Sequence, residues 1–141
     1  MQYQNIDGND LAQSGAFERQ PAMDVSTLLI RALHDVFGEN DPGRRRAAID
    51  EIFHEHAAFH EHKTGIYRGR NEIDRIAGMF RATHPDFRYR LIGDPEVIGD
   101  GGRVRWVSGR PGEPPVDAGT DFIISRDGRI AAVYLFFDKL P

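Results

Sequence analysis

The chain has 141 residues, 40% of them apolar and 28% charged, with a net charge of −4 and no cysteine. That length suits one domain with a core and room for an internal cavity, and leaves no space for a second. The composition excludes a disordered or membrane-spanning chain, the acidic balance a general nucleic-acid binder, and the missing cysteine excludes disulfides, thiolate zinc sites and cysteine nucleophiles.

Residues 1–22 are polar, without sustained periodicity, and end in Gln20-Pro21, which reads as a tail whose Leu11 and Phe17 could dock on the body. The domain is then expected over 23–141. The opening MQYQNIDGNDLAQSG has neither a basic region nor an apolar stretch, so no signal peptide is read there. The apolar run AAVYLFF at 131–137 is too short to cross a bilayer, and a cytoplasmic location is the expectation. The basic clusters RRR at 44–46 and RGR at 68–70 read as solvated faces or turns.

Asp24 is placed to cap a helix in which Val25, Leu28, Leu29, Ala32, Leu33, Val36 and Phe37 keep helical spacing up to Gly38. Asp41-Pro42 opens a second helix with Ala47, Ala48, Ile49, Ile52 and Phe53 as its apolar stripe. Then comes HEHAAFHEH, residues 54–62, which holds four of the six histidines. His54 and His56 are expected where the second helix runs out, and Ala57 to His62 as a short strand. Thr64-Gly65 and Arg68-Gly69 frame a connection into a third helix with Ile73, Ile76, Ala77 and Phe80 inward. After Pro85 the pattern turns to period two: FRYRLIG, EVIGDGGRVRWVSG with a turn at Asp100-Gly101-Gly102, GTDFIIS, a turn at Asp127-Gly128, and RIAAVYLFFD. Three helices and an early strand followed by an antiparallel meander predict an α+β domain.

This order resembles the nuclear transport factor 2-like superfamily and, within it, the SnoaL-like group, over residues 24–138. The resemblance rests on FHEH at 59–62, YRGRNEI at 67–73 and GTDFIISRDGRIAAVYLFFD at 119–138. It implies a cone-shaped fold, three helices on a curved and mainly antiparallel sheet, with a one-ended pocket on the concave face. It also implies a homodimer through the sheet's other face. In the ketosteroid isomerases of this superfamily a first-strand carboxylate moves a proton, while a protonated Asp and a Tyr hold the oxyanion. Anchored on Asp127-Gly128-Arg129-Ile130, the resemblance sets Asp121 at the oxyanion Asp and Glu61 at the proton carrier, but Leu33 near the tyrosine. SnoaL-type cyclases and limonene epoxide hydrolases use a last-strand Asp, where this chain has Leu135. The hydrolase's Arg and Asp on a middle strand fall at Arg103 and Arg105.

Strand alternation sends Phe59 and Glu61 to one face and His60 and His62 to the other, and a one-residue slip would exchange Glu61 with His60, so both are candidate bases. His60 and His62 share a face at a spacing that suits zinc or iron, but a third ligand must come from a distant residue, so no metal is expected. Asp121 interrupts the apolar strand Thr-Asp-Phe-Ile-Ile, so it faces either a cavity or the outer side, and alternation with Ile123 together with the isomerase resemblance favours the cavity. The candidate catalytic residues are therefore Glu61, His60 and Asp121, and the candidate ligand contacts Phe59, Tyr67, Arg105 and Trp106. The expected activity is acid/base chemistry without a cofactor, an isomerisation, cyclisation, dehydration or hydrolysis, on a small apolar organic molecule. The other reading is a non-catalytic ligand-binding or dimerisation domain.

Overall fold

The computed structural model describes residues 23–63 and 65–141, so the expectations for the tail 1–22 and for Leu11 and Phe17 lie outside the described residues. The first helix, α1 (Val25–Arg31), begins where the Asp24 carboxylate accepts the Thr27 N–H at 2.8 Å. It continues directly into a π-helical segment (Ala32–Phe37). All seven residues of the expected stripe, Val25 to Phe37, are buried. Helix α2 (Pro42–Ile52) starts under the Asp41 cap, which accepts the Arg44 N–H at 2.8 Å, with Pro42 in the first turn where its missing N–H costs nothing.

The second helix stops one residue earlier than its stripe suggests, because Phe53 turns extended and pairs with Ile130. Strand β1 therefore runs Phe53–Glu61, longer than expected, and His54 and His56 lie on it as strand residues rather than at a helix end. The connection expected around Gly65 is itself a short strand, β2 (Gly65–Arg68), paired antiparallel with β1. Helix α3 (Arg70–Thr83) follows, then β3 (Arg88–Ile98), β4 (Gly101–Gly109), β5 (Asp117–Arg126) and β6 (Arg129–Phe137). The β3–β4 turn falls at Gly99-Asp100, so Gly101 and Gly102 belong to the strand. The β5–β6 turn uses Asp127 at φ 56° and Gly128 at φ 73°, the left-handed pair that a two-residue hairpin of matching twist requires.

The six strands form one sheet in the order β2-β1-β6-β5-β4-β3, all antiparallel except the β1–β6 pair. The meander is thus as expected, and the three helices pack on one face of this curved sheet. Leu28, Leu29, Ile49, Ile52 and Ile73 meet Phe59, Val104, Ile123 and Val133 in a single core. Each such large side chain withdrawn from water contributes about 1.5–3 kcal/mol.

Candidate functional site

Because residues paired across strands share a face, the register lays out the inner surface in rows. Phe59, Val133, Ile123 and Gly102 form one row, covered by α1. The next is Glu61, Leu135, Asp121 and Val104, and beyond it come Phe137, Gly119 and Trp106. The helices cover the first row closely and leave the later ones open. There a cavity of about 170 Å³ lies between the sheet, the π-helical segment and the end of α3. Leu33, Phe37, Phe59, Phe80, Phe87 and Leu135 supply its apolar wall. A π turn is wider than an α turn and sits commonly at functional sites; here it carries both Leu33 and Phe37 to the cavity.

Asp121 is the buried acid of this cavity, 5% exposed. Burial, by disfavouring the charged form, pushes its carboxyl up to about 6, against the opposing effect of a hydrogen bond from the Trp106 indole. That bond, Trp106 Nε1–H to Asp121 Oδ1, is 3.0 Å long. Its geometry depends on Gly119, directly opposite Trp106: a Cβ there would collide with the indole ring and come within 2.8 Å of the Phe136 carbonyl. Glycine thus lets the indole lie flat across β5, between the edge-on rings of Tyr89 and Phe137.

Tyr89 stands on the neighbouring row and lines the cavity as well. Burial first, then the charge of Asp121, holds its phenol above the ordinary value, so it stays a hydrogen-bond donor at any physiological pH. Its hydroxyl has no protein hydrogen-bond partner among the described residues. Ser108, Asp117, Arg81, Thr83 and His84 complete the wall.

Most of the other expected site residues lie elsewhere. Phe59 and Trp106 do line the cavity. Glu61 has the inward orientation expected of it and is 6% exposed, but Leu135 stands between it and Asp121 on the same row. Two strand spacings separate their backbones by about 10 Å. Glu61 borders a separate, shallower groove with His60, His62, Ile66 and Tyr134, and accepts the Lys63 N–H at 2.9 Å. His60 points to the outer face and stacks on Tyr134 with centroids 4.3 Å apart. Arg105 is exposed on that same outer face, since alternation puts Trp106 and Val104 inward. Tyr67 packs beside Phe59 at 6.0 Å, behind the cavity wall. Among the described residues no three His, Asp or Glu side chains gather as metal ligands would.

Tyr89 and Arg81 are the functional candidates that the sequence reading passed over, and both had a signal. Phe87, Tyr89 and Leu91 alternate with arginines, and Arg81 lies four residues after Ala77 on the buried stripe of α3.

Residues 30–133 match the family model of the SnoaL-like domain. Among solved structures, a candidate isomerase of the SnoaL-like family from Agrobacterium tumefaciens superposes with a TM-score of 0.73 at 26% identity, over 80% of this chain and 96% of that one. A candidate SnoaL-like polyketide cyclase from Jannaschia sp. CCS1 gives 0.67 at 15% identity, covering 86% and 90% of the two chains. An NTF2-like protein of unknown function from Cytophaga hutchinsonii gives 0.62 at 14% identity, covering 85% and 95%. No curated protein matches the chain.

Proposed function

The chain belongs to the SnoaL-like domain family, and on that premise we propose that it binds a small, largely apolar organic molecule in the cavity and moves a proton on it at Asp121, without a cofactor. The observation that carries this reading is a carboxyl group held near pKa 6 inside an apolar volume, because proton transfer is fastest from a group poised near the working pH. Trp106 engages Oδ1, which leaves Oδ2 for the substrate. Oδ2 takes a proton from a carbon beside a carbonyl; the C–H electron pair moves into the carbonyl, and the Tyr89 hydroxyl donates to the oxygen as its charge grows. Where a C=C adjoins that carbon, returning the proton to the far end of the extended enolate completes an isomerisation; where the carbon attacks an internal carbonyl, the proton passes from Asp121 to the new alkoxide and completes a cyclisation. Glu61 and His60 take no part in this scheme, since each lies outside the cavity.

A specific observation supports the second reading, a non-catalytic binding domain: Leu135 stands between Glu61 and Asp121 on their shared row, so the two buried acids do not act as a pair. One screen separates the two. Small ketones and esters are incubated in deuterated water and followed by proton NMR. Deuterium entering carbon with the wild type but not with Asp121→Asn supports the enzyme; compounds that bind without exchange support the binding domain.

We also propose a homodimer through the sheet's outer face, in the cytoplasm. On that face Phe122, Tyr134 and the stacked His60 form an aromatic row, and Phe136 beside it is 55% exposed. Light scattering should give twice the chain mass, and Phe136→Glu should return a monomer. Among the described residues no helix is long and apolar enough to cross a membrane.

A further inference from the structure

We infer that the cavity's ligand is a small monocarboxylic acid, a single ring or short chain bearing one carboxylate, and that Arg81 receives that carboxylate. The inference deepens the small-molecule reading and rests on it.

Two arginines are buried among the described residues, Arg45 at 8% and Arg81 at 5% exposed, and their surroundings differ. Arg45 has a counter-ion: its Nε lies 3.2 Å from Asp74 Oδ1, and its Nη1 donates to the Glu39 carbonyl at 2.9 Å. Arg81 has none. Its Nε donates to Asn40 Oδ1 at 2.7 Å, and its Nη2 to the carbonyls of Pro85 at 3.0 Å and Phe87 at 2.9 Å, all neutral acceptors. Those bonds hold the guanidinium in place and leave both Nη1 hydrogens without a partner among the described residues. Withdrawing a charge from water without a counter-ion is costly, and the fold supplies one to Arg45 while withholding it from Arg81. The difference is that Arg81 forms part of the cavity wall. An occupant bearing a carboxylate would compensate the charge, and the planar guanidinium edge suits a planar carboxylate.

The remaining charges set the limits. Asp117 and His84 are exposed residues of the same wall, and Asp121 is buried across it. With two acids facing the space, one anionic group opposite Arg81 is accommodated and a second is repelled. A cavity of about 170 Å³ is close to the roughly 150 Å³ that admits a benzene ring, so the body is small and apolar. Arg81 at one wall and Asp121 at the other would hold the acid group away from the carbon where the proton moves.

The test is calorimetric titration of the protein at pH 7.5 with benzoate and phenylacetate against benzamide and phenylacetamide. The carboxylates should bind at least about tenfold tighter than their amides. Asp121→Asn should keep that preference, whereas Arg81→Met should abolish it by weakening the carboxylates alone. Because Arg81→Met also removes three structural hydrogen bonds, its melting is checked first, and the wild-type ratio stands as the test if it does not fold. Equal affinities for acid and amide overturn the role of Arg81 and leave the apolar pocket reading intact. Silence from all four compounds overturns the small-acid inference, and the deuterium screen then decides the pocket reading separately.

Discussion

On the two sides of Leu135 the sheet buries a carboxylate to nearly the same depth, Asp121 at 5% and Glu61 at 6% exposure. Asp121 looks into an apolar cavity and meets a single indole N–H. Glu61 ends its strand, accepts the amide of Lys63 and borders a shallow groove at the sheet's edge. Depth alone therefore does not make a proton carrier. What separates the two acids is whether the carboxyl opens onto a volume that another molecule can fill.

The sharpest way to break this contrast is to remove the divider. Leu135→Ala should cost about 2–5 kcal/mol in urea denaturation and join the cavity to the Glu61 groove. If the variant is as stable as the wild type, Leu135 is not a packed wall. Next in size is Asp121→Asn. The folded-state pKa near 6 exceeds the ordinary 3.8, so the folded protein holds its proton more tightly than the unfolded chain. Stability is then lost as pH rises from about 4 to 6, by about 3 kcal/mol in all. The Asn variant escapes this loss: it should be the more stable protein by up to that amount at pH 8, with the gap closing below pH 4. A gap that does not change with pH would show that burial does not perturb Asp121.

Trp106→Phe removes the bond that lowers the Asp121 pKa, so carbon-13 titration of the carboxyl should move upward from about 6, at a cost to stability of about 1 kcal/mol. A downward shift would reverse the assigned cause. The smallest effect is expected at Glu61→Gln, where an oxygen remains to accept the Lys63 N–H. Stability should change by no more than about 1 kcal/mol, with deuterium exchange unaltered. Lost exchange in that variant would return Glu61 to the chemistry and erase the contrast.

Much of this was legible in the chain. The core stripe of α1, the meander, and the opposite faces of Phe59-Glu61 and His60 follow from period alone, and Asp121 stood out as an acid inside an apolar strand. Periodicity reports only which face a residue occupies. It cannot say where along that face the helices leave space, so the sequence pairs Glu61 as proton carrier with Asp121 as oxyanion acid, whereas the register sets Leu135 between them. Nor could it reveal that Arg81, an ordinary cation at a helix end by composition, is held under the Pro85 and Phe87 carbonyls. The strand content of His54 and His56 was hidden for a related reason. Phe53 suits a helical stripe and a buried strand equally, and only its pairing with Ile130 decides.

The π-helical segment between Ala32 and Phe37 makes the cavity unusually sensitive to chain length. A π turn accommodates one residue more than an α turn, so deleting a single residue here would heal the segment into regular helix rather than break it. The helical residues after the deletion would then shift by about 100° around the axis. Phe37 would leave the cavity wall while the helix kept its hydrogen bonds. Length variation at this one point would therefore resize the chamber as a discrete step, with the sheet beneath it untouched.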